Sequence, residues 1–168
     1  MNKEMFTYTG KVRLTKKTKG GHVYEIKTKN HGTTKLFRGL CYALCGYAFD
    51  EYKPKYITIV KSTDIGNPTI ENTTKILSAD SGVVGSVDTS QNPIAKFTGS
   101  IAAYQFSTVT ASGDVYLCLL CGEEGTTSLA NRILAYLPVD QSLTSLTAGT
   151  VLGVEWQMSF ENAPVPNE

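Results

Sequence analysis

Histidine is nearly missing from this chain: His22 and His31 are the only two among 168 residues. Neither stands at a spacing from Cys, Asp or Glu that would build a zinc site or a nucleophilic triad. The sequence also lacks G-x-x-x-x-G-K-[ST], G-x-G-x-x-G and G-x-S-x-G. A phosphate-cradling loop, a dinucleotide fingerprint and a nucleophile elbow are therefore all missing. No stretch approaches the ~18 consecutive apolar residues of a membrane-spanning helix. The opening MNKEMFTYTGK has no apolar core of a secretory signal. These absences predict a protein that is not an enzyme, takes no metal or cofactor, meets no membrane, and starts life in the cytoplasm of the cell that makes it.

Charge is sparse at 18% of residues, and it is unevenly placed. Residues 1–61 hold 13 Lys and Arg against 4 Asp and Glu, whereas residues 62–168 hold 3 against 11. Such a split suits contact with nucleic acid, association of unlike surfaces, or two solvated faces of one globule. Cysteine is also scarce. Cys118 and Cys121 form a C-x-x-C inside the apolar run VYLCLLCG. Their odd spacing sends the two thiols to opposite faces of a strand, which cannot converge on one ion. Cys41 and Cys45 share a helical face among Leu40, Tyr42 and Leu44. All four read as buried, reduced cysteines that behave as small hydrophobes.

What is present is β pattern. KVRLT sends Val12 and Leu14 one way and Lys11, Arg13 and Thr15 the other. HVYEIKTK alternates in the same manner, and Gly20 and Gly21 in KKTKGG supply the turn. Residues 8–29 thus predict a hairpin with an apolar face and a basic one, carrying Lys11, Arg13, Lys16, Lys17, Lys19, Lys27 and Lys29. Over residues 33–47 the period changes to that of a helix, with Leu36, Leu40, Leu44 and Tyr47 as the apolar stripe and Phe37, Cys41 and Ala43 widening it. Thr33 or Thr34 would cap its start and Gly46 its end. Gly39 weakens that helix by about 1 kcal/mol against alanine, so packing must hold it.

PKYITIVKS predicts a strand, and residues 62–93 a Ser/Thr/Asn/Asp-rich loop with short strands at KIL or GVVGSV. IAKFTGSIAAYQF changes parity part-way, as at a bulge or a bend. GDVYLCLLCG is apolar on both parities, which marks a central strand covered on both faces. LANRILAYLP predicts a further strand. In TVLGVEWQMSF, Leu152, Val154, Trp156, Met158 and Phe160 share one face of a last strand. About eight strands and one short helix near residues 33–47 give a mainly β fold: one domain over 1–168, an antiparallel β-sandwich, jelly-roll-like, with a fraying tail at 163–168. Trp156 is its core anchor.

The order NHGTTKLFRGLCYALCG, PKYITIVKS, VYLCLLCGEEG, SLANRILAYLPVD and SLTAGTVLGVEWQMSFENA resembles small β-sandwich structural proteins of tailed-bacteriophage virions. These are subunits of tails, baseplates, collars, head fibres and auxiliary capsid positions. The closing strand, with its l-t-x-G-t-x-l-x-v-x-W-x-i-x-F pattern, carries most of the likeness. VYLCLLCG stands where the family has a glycine-led apolar segment, and ITIVKS lacks the usual glycine after its strand. The resemblance implies a non-enzymatic virion component, assembled in the host bacterial cytoplasm. Its partners would be copies of itself and other virion proteins: capsid, portal, collar or tail. It also implies a structural hydrogen-bonding role for Arg132.

Two other readings stand beside it. A carbohydrate- or receptor-binding module would use the loops at 62–93 and 122–128, but there is no aromatic between Lys61 and Gln91 to stack on a sugar. A nucleic-acid binder would use the basic hairpin, yet no RNP, KH or zinc-finger signature accompanies it. Nucleic acid is therefore the less favoured partner. Glu123 and Glu124 read as a solvated turn.

Overall fold

A computed structural model describes residues 5–89, 94–122 and 128–163. The pair Glu123–Glu124, most of the 122–128 loop and residues 164–168 of the expected tail lie outside the described residues. Within them the chain is an antiparallel β-sandwich with one α-helix.

The first sheet contains β1 (Met5–Lys17), β2 (Val23–Lys29), β7 (Val84–Asp88), β8 (Ile94–Ala102) and β11 (Val151–Ala163), in the order β2-β1-β11-β8-β7. The second contains β3 (His31–Gly32), β4 (Pro54–Ser62), β5 (Thr73–Lys75), β9 (Asp114–Cys121) and β10 (Ile133–Pro138), in the order β3-β10-β9-β4-β5. A short β6 (Ser81–Gly82) also pairs with β4. The hairpin, the short strands after residue 72 and the closing strand thus stand where period and turn chemistry place them. Gly21 alone of the two turn glycines takes positive φ, at 82°.

β11 is held on both sides. It pairs with β1 from Val151↔Lys17 to Ala163↔Met5, and with β8 from Val151↔Ala102 to Ser159↔Ile94. Its inward residues Leu152, Val154, Trp156 and Met158 are buried, and Trp156 is wholly so. Phe160 occupies the next inward register position, opposite Tyr8; its side chain lies outside the described ones. Val12 and Leu14 from β1, and Ile57, Ile59, Leu117, Leu119 and Leu137 from the second sheet, complete the inter-sheet core.

β9 is central in its sheet, and both of its faces are covered. Leu117, Leu119 and Cys121 face the main core, whereas Cys118 and Leu120 join Val60, Ile65 and Ile133 in a second cluster on the outer face. Cys118 and Cys121 are therefore buried on opposite faces, and burial pushes both thiols up from their ordinary pKa. Of the two alternatives for the phase change after β8, the structure has the bend, a 3₁₀ turn at Ala103–Gln105. LANRILAYLP likewise divides into a 3₁₀ turn, Leu129–Arg132, and β10.

The helix α1 spans Thr34–Leu44, shorter than 33–47. The Thr33 hydroxyl accepts from the Leu36 amide at 3.4 Å and is within 2.9 Å of the Leu134 carbonyl, to which it donates. The end is closed by two bonds: the Gly46 amide donates to Ala43 O at 3.2 Å and the Tyr47 amide to Tyr42 O at 2.9 Å. Gly46 sits at φ 73°, which glycine adopts without strain. Gly39 is needed for close approach, since a Cβ there would lie 2.6 Å from the Tyr52 Cβ.

Two expectations about this helix need correction. The stripe turned to the sandwich is Leu36, Gly39 and Leu40, while Ala43 is exposed, Leu44 is 87% exposed and Tyr47 66% exposed. Each i to i+4 step advances 400°, so Leu36, Leu40 and Leu44 drift round the helix and Leu44 leaves the contact. Cys41 and Cys45 are exposed, not buried, for the same reason.

Candidate interaction surface

Antiparallel register sets the outer face of the first sheet. Lys29, Lys11, Gln157, Lys96 and Ser86 lie in one row across the strands, and Lys27, Arg13, Glu155, Thr98 and Val84 in the next. Lys17 lies further along the same face, opposite Val23 and Val151. Lys27 is placed by register alone. A shallow trough of about 510 Å³ runs here between Lys11, Arg13, Lys29, Glu155 and Gln157.

Much of this positive charge is answered locally. Arg13 Nη2 donates to Glu25 at 2.7 Å, and that bond holds the guanidinium pKa above its ordinary value. Lys96 pairs with Asp88 at 3.1 Å. Lys11, Lys17 and Lys29 make no ion pair among the described residues. The face is thus a polar surface with three unanswered cations spread over two strands, and their field is screened within about 8–10 Å at ordinary salt.

The other two basic residues stand apart. Lys16 has inward parity, opposite Leu152, and lines a cleft of about 450 Å³ at the end of the sandwich beside Leu14, Asp140 and Leu143. Lys19 is in the turn, where its stem packs near Gly149. The structure therefore gathers Lys11, Arg13, Lys17, Lys27 and Lys29 on one face and separates Lys16 and Lys19 from them.

Two polar clusters lie inside the fold. Arg132 is buried; its Nε donates to Cys121 O at 3.0 Å and its Nη1 to Asp80 Oδ2 at 2.9 Å. Lys75 Nζ reaches the other carboxylate oxygen at 3.4 Å, and the guanidinium lies 5.4 Å over the Tyr56 ring. This pair fastens the loop before β6 to the outer face of the second sheet. The second cluster is at the first crossover between sheets. The Tyr8 hydroxyl donates to Asn30 Oδ1, and the Asn30 side chain occupies the space above Gly10. Burial pushes the Tyr8 pKa up to about 12. Sequence spacing gives no sign of Asp80 or Asn30, because their partners are 52 and 22 residues distant.

A different kind of surface surrounds α1. Phe37, Cys41, Leu44 and Cys45 are all exposed, and Tyr42 and Tyr47 flank them with ring centroids 5.8 Å apart. Among the described residues no three His, Cys, Asp or Glu side chains stand close enough to hold a metal ion, and no helix is long and apolar enough to cross a membrane. No protein-family model matches the chain, and searches of curated proteins and of solved structures find no match.

Proposed function

We propose that the chain is a non-enzymatic structural component of a tailed-bacteriophage virion, docking to copies of itself and to other virion proteins. The observation that carries this reading is the closing strand. β11 supplies the pattern by which the chain resembles those proteins, and it is paired along its length to β1 and to β8 over nine residues with Trp156 sealed beneath it. A particle protein must stay folded without resupply, and a strand locked between two neighbours slows unfolding. Uncovered apolar side chains on α1 supply the means of docking.

Mass spectrometry of purified particles from the encoding phage tests the reading. The expected result is this chain in the particle at a fixed copy number relative to the capsid protein. Intact particles without the chain overturn it. Portal, capsid and tail reading frames beside the gene would agree with it. Filter binding across salt addresses the nucleic-acid alternative: no DNA retained at low salt removes the basic face as a phosphate-binding surface.

A further inference from the structure

We infer that two copies of the chain pair through the exposed stripe of α1, antiparallel about a two-fold axis near Cys41; this rests on the self-docking part of the function proposed above and names its surface. The helix is apolar on two stripes. Leu36, Gly39 and Leu40 are already turned to the sandwich. Phe37, Cys41, Leu44 and Cys45 recur at i, i+4, i+7 and i+8, which places them on one further stripe. All four reach solvent: Phe37, edge-on against the Tyr8 ring at 5.8 Å, is 42% exposed, Leu44 is 87% exposed, and both thiols are open. A helix whose apolar arc extends past its own core has a second partner to meet.

Area and charge favour a second copy. With Tyr42 and Tyr47 the exposed apolar surface is on the order of 500 Å² per copy, taking roughly 150–250 Å² for a whole aromatic side chain. Two such stripes facing each other bury about 1,000 Å² in total, the lower bound for a specific interface. A polar partner surface would contribute little to that sum. The rim carries both signs, Lys35, Arg38 and Lys53 against Asp50 and Glu51. Asp50 is bonded to Lys53, and the Lys35 ammonium lies 5.1 Å over the Tyr52 ring. No single-sign field is left to repel a like copy or to select a strongly charged stranger. A two-fold contact is self-complementary and closes at the dimer. Cys41 is at the middle of the stripe. Antiparallel helices packed at about 8–10 Å bring the two Cys41 thiols together on the axis, while Cys45 lies a turn away.

The test uses the full chain. Light scattering after size exclusion should give a mass that doubles as concentration rises from micromolar upward. Leu44→Glu should weaken self-association by at least ~100-fold and leave the melting temperature unchanged at concentrations where the wild type is monomeric, since Leu44 is not part of the core. A short bis-maleimide should join Cys45→Ser chains into a covalent dimer in high yield and Cys41→Ser chains poorly. A wild-type monomer at every concentration overturns the pairing, as does a dimer indifferent to Leu44→Glu or a cross-link independent of Cys41. If Leu44→Glu misfolds, the two cysteine variants still decide. A monomer found in purified particles sinks the pairing and spares the virion reading; a dimer absent from particles does the reverse.

Discussion

Replacing Trp156 by alanine removes the largest buried side chain of the closing strand. Trp156 stands between Val12 of β1 and Phe97 of β8, with no exposure to solvent. A buried indole covers roughly 200–250 Å², worth about 5–6 kcal/mol at 25 cal/mol per Å². Alanine keeps about 1 kcal/mol of that, and partial collapse of the cavity recovers some more. The expected loss is about 4 kcal/mol, within the usual span for truncating a buried tryptophan. That is a large part of the roughly 5–15 kcal/mol that holds a domain folded. At this chain length it lowers Tm by roughly 8–16 °C.

Urea unfolding followed by far-UV circular dichroism is the appropriate assay, because the chain has a single tryptophan and the substitution removes the fluorescent probe. The midpoint should fall with the slope unchanged, since the same surface is exposed on unfolding. Trp156→Phe keeps a ring in place and should lose only about 1–2 kcal/mol. Native wild-type emission should lie well to the blue of free indole in water. A loss under about 1 kcal/mol for the alanine variant, or emission like that of free indole, refutes the sealed sandwich and the place of β11 in it.

The Tyr8 hydroxyl, its pKa raised to about 12 by burial, links stability to alkaline pH. A raised value favours the neutral form in the fold. Its contribution is complete below the unfolded value near 10 and is lost as pH climbs through 12, about 2–3 kcal/mol in all. Tyr8→Phe should cost about 1 kcal/mol at pH 7 for the lost bond to Asn30 and then flatten this alkaline decline; urea midpoints from pH 8 to 11.5 measure it, and an equal slope in both proteins refutes it. Arg132→Met takes the guanidinium from the buried Asp80 carboxylate and should cost about 3–5 kcal/mol, most of it recovered in the double variant with Asp80→Leu. Thermal melts of the three variants decide this, and simple additivity would show that the pair is not coupled. Gly99→Ala would place a Cβ 2.9 Å from the Gly82 carbonyl oxygen and 3.1 Å from Ile57 Cδ1. The expected cost is about 1–3 kcal/mol by urea titration, and no loss would mean that the strands part there without effort.

Local patterns made most of the fold readable. A two-residue period places β1 and β11, a β-branched run places β4, and an apolar run on both parities identifies β9 as central, because each is decided by neighbours a few residues away. Thr33 and Gly46 announce the limits of α1 by the chemistry of their own backbone contacts. What local pattern does not contain is the position of a distant neighbour. Leu36, Leu40, Leu44 and Tyr47 have helical spacing, but the sandwich meets only the arc of Leu36, Gly39 and Leu40, and that choice is made by Tyr52 and β10. Lys16 follows Thr15 in a basic turn, yet strand parity carries it inward. Asp80 is one polar residue in a polar loop until Arg132 arrives from 52 positions away.

The same division explains where association belongs on this molecule. The outer face of the second sheet is occupied by the chain itself, through Ile65, Leu129 and the Arg132–Asp80 pair. The outer face of the first sheet is open, but Lys, Gln, Thr and Ser dominate it, and antiparallel sheets commonly leave such a face to water. Of the edge strands, β2 carries lysines, which discourage addition of another strand, and β7 is only five residues long. Val23, Val84 and Val151 are exposed singly among those polar groups, whereas the stripe on α1 gathers its exposed apolar side chains in one place. Docking through it removes apolar area from water and gives up no existing contact. Docking through the basic face must first desolvate ammonium groups whose field salt already screens. Burial per unit area therefore favours the helix over the lysines, even though the charge pattern is the more conspicuous feature of the sequence.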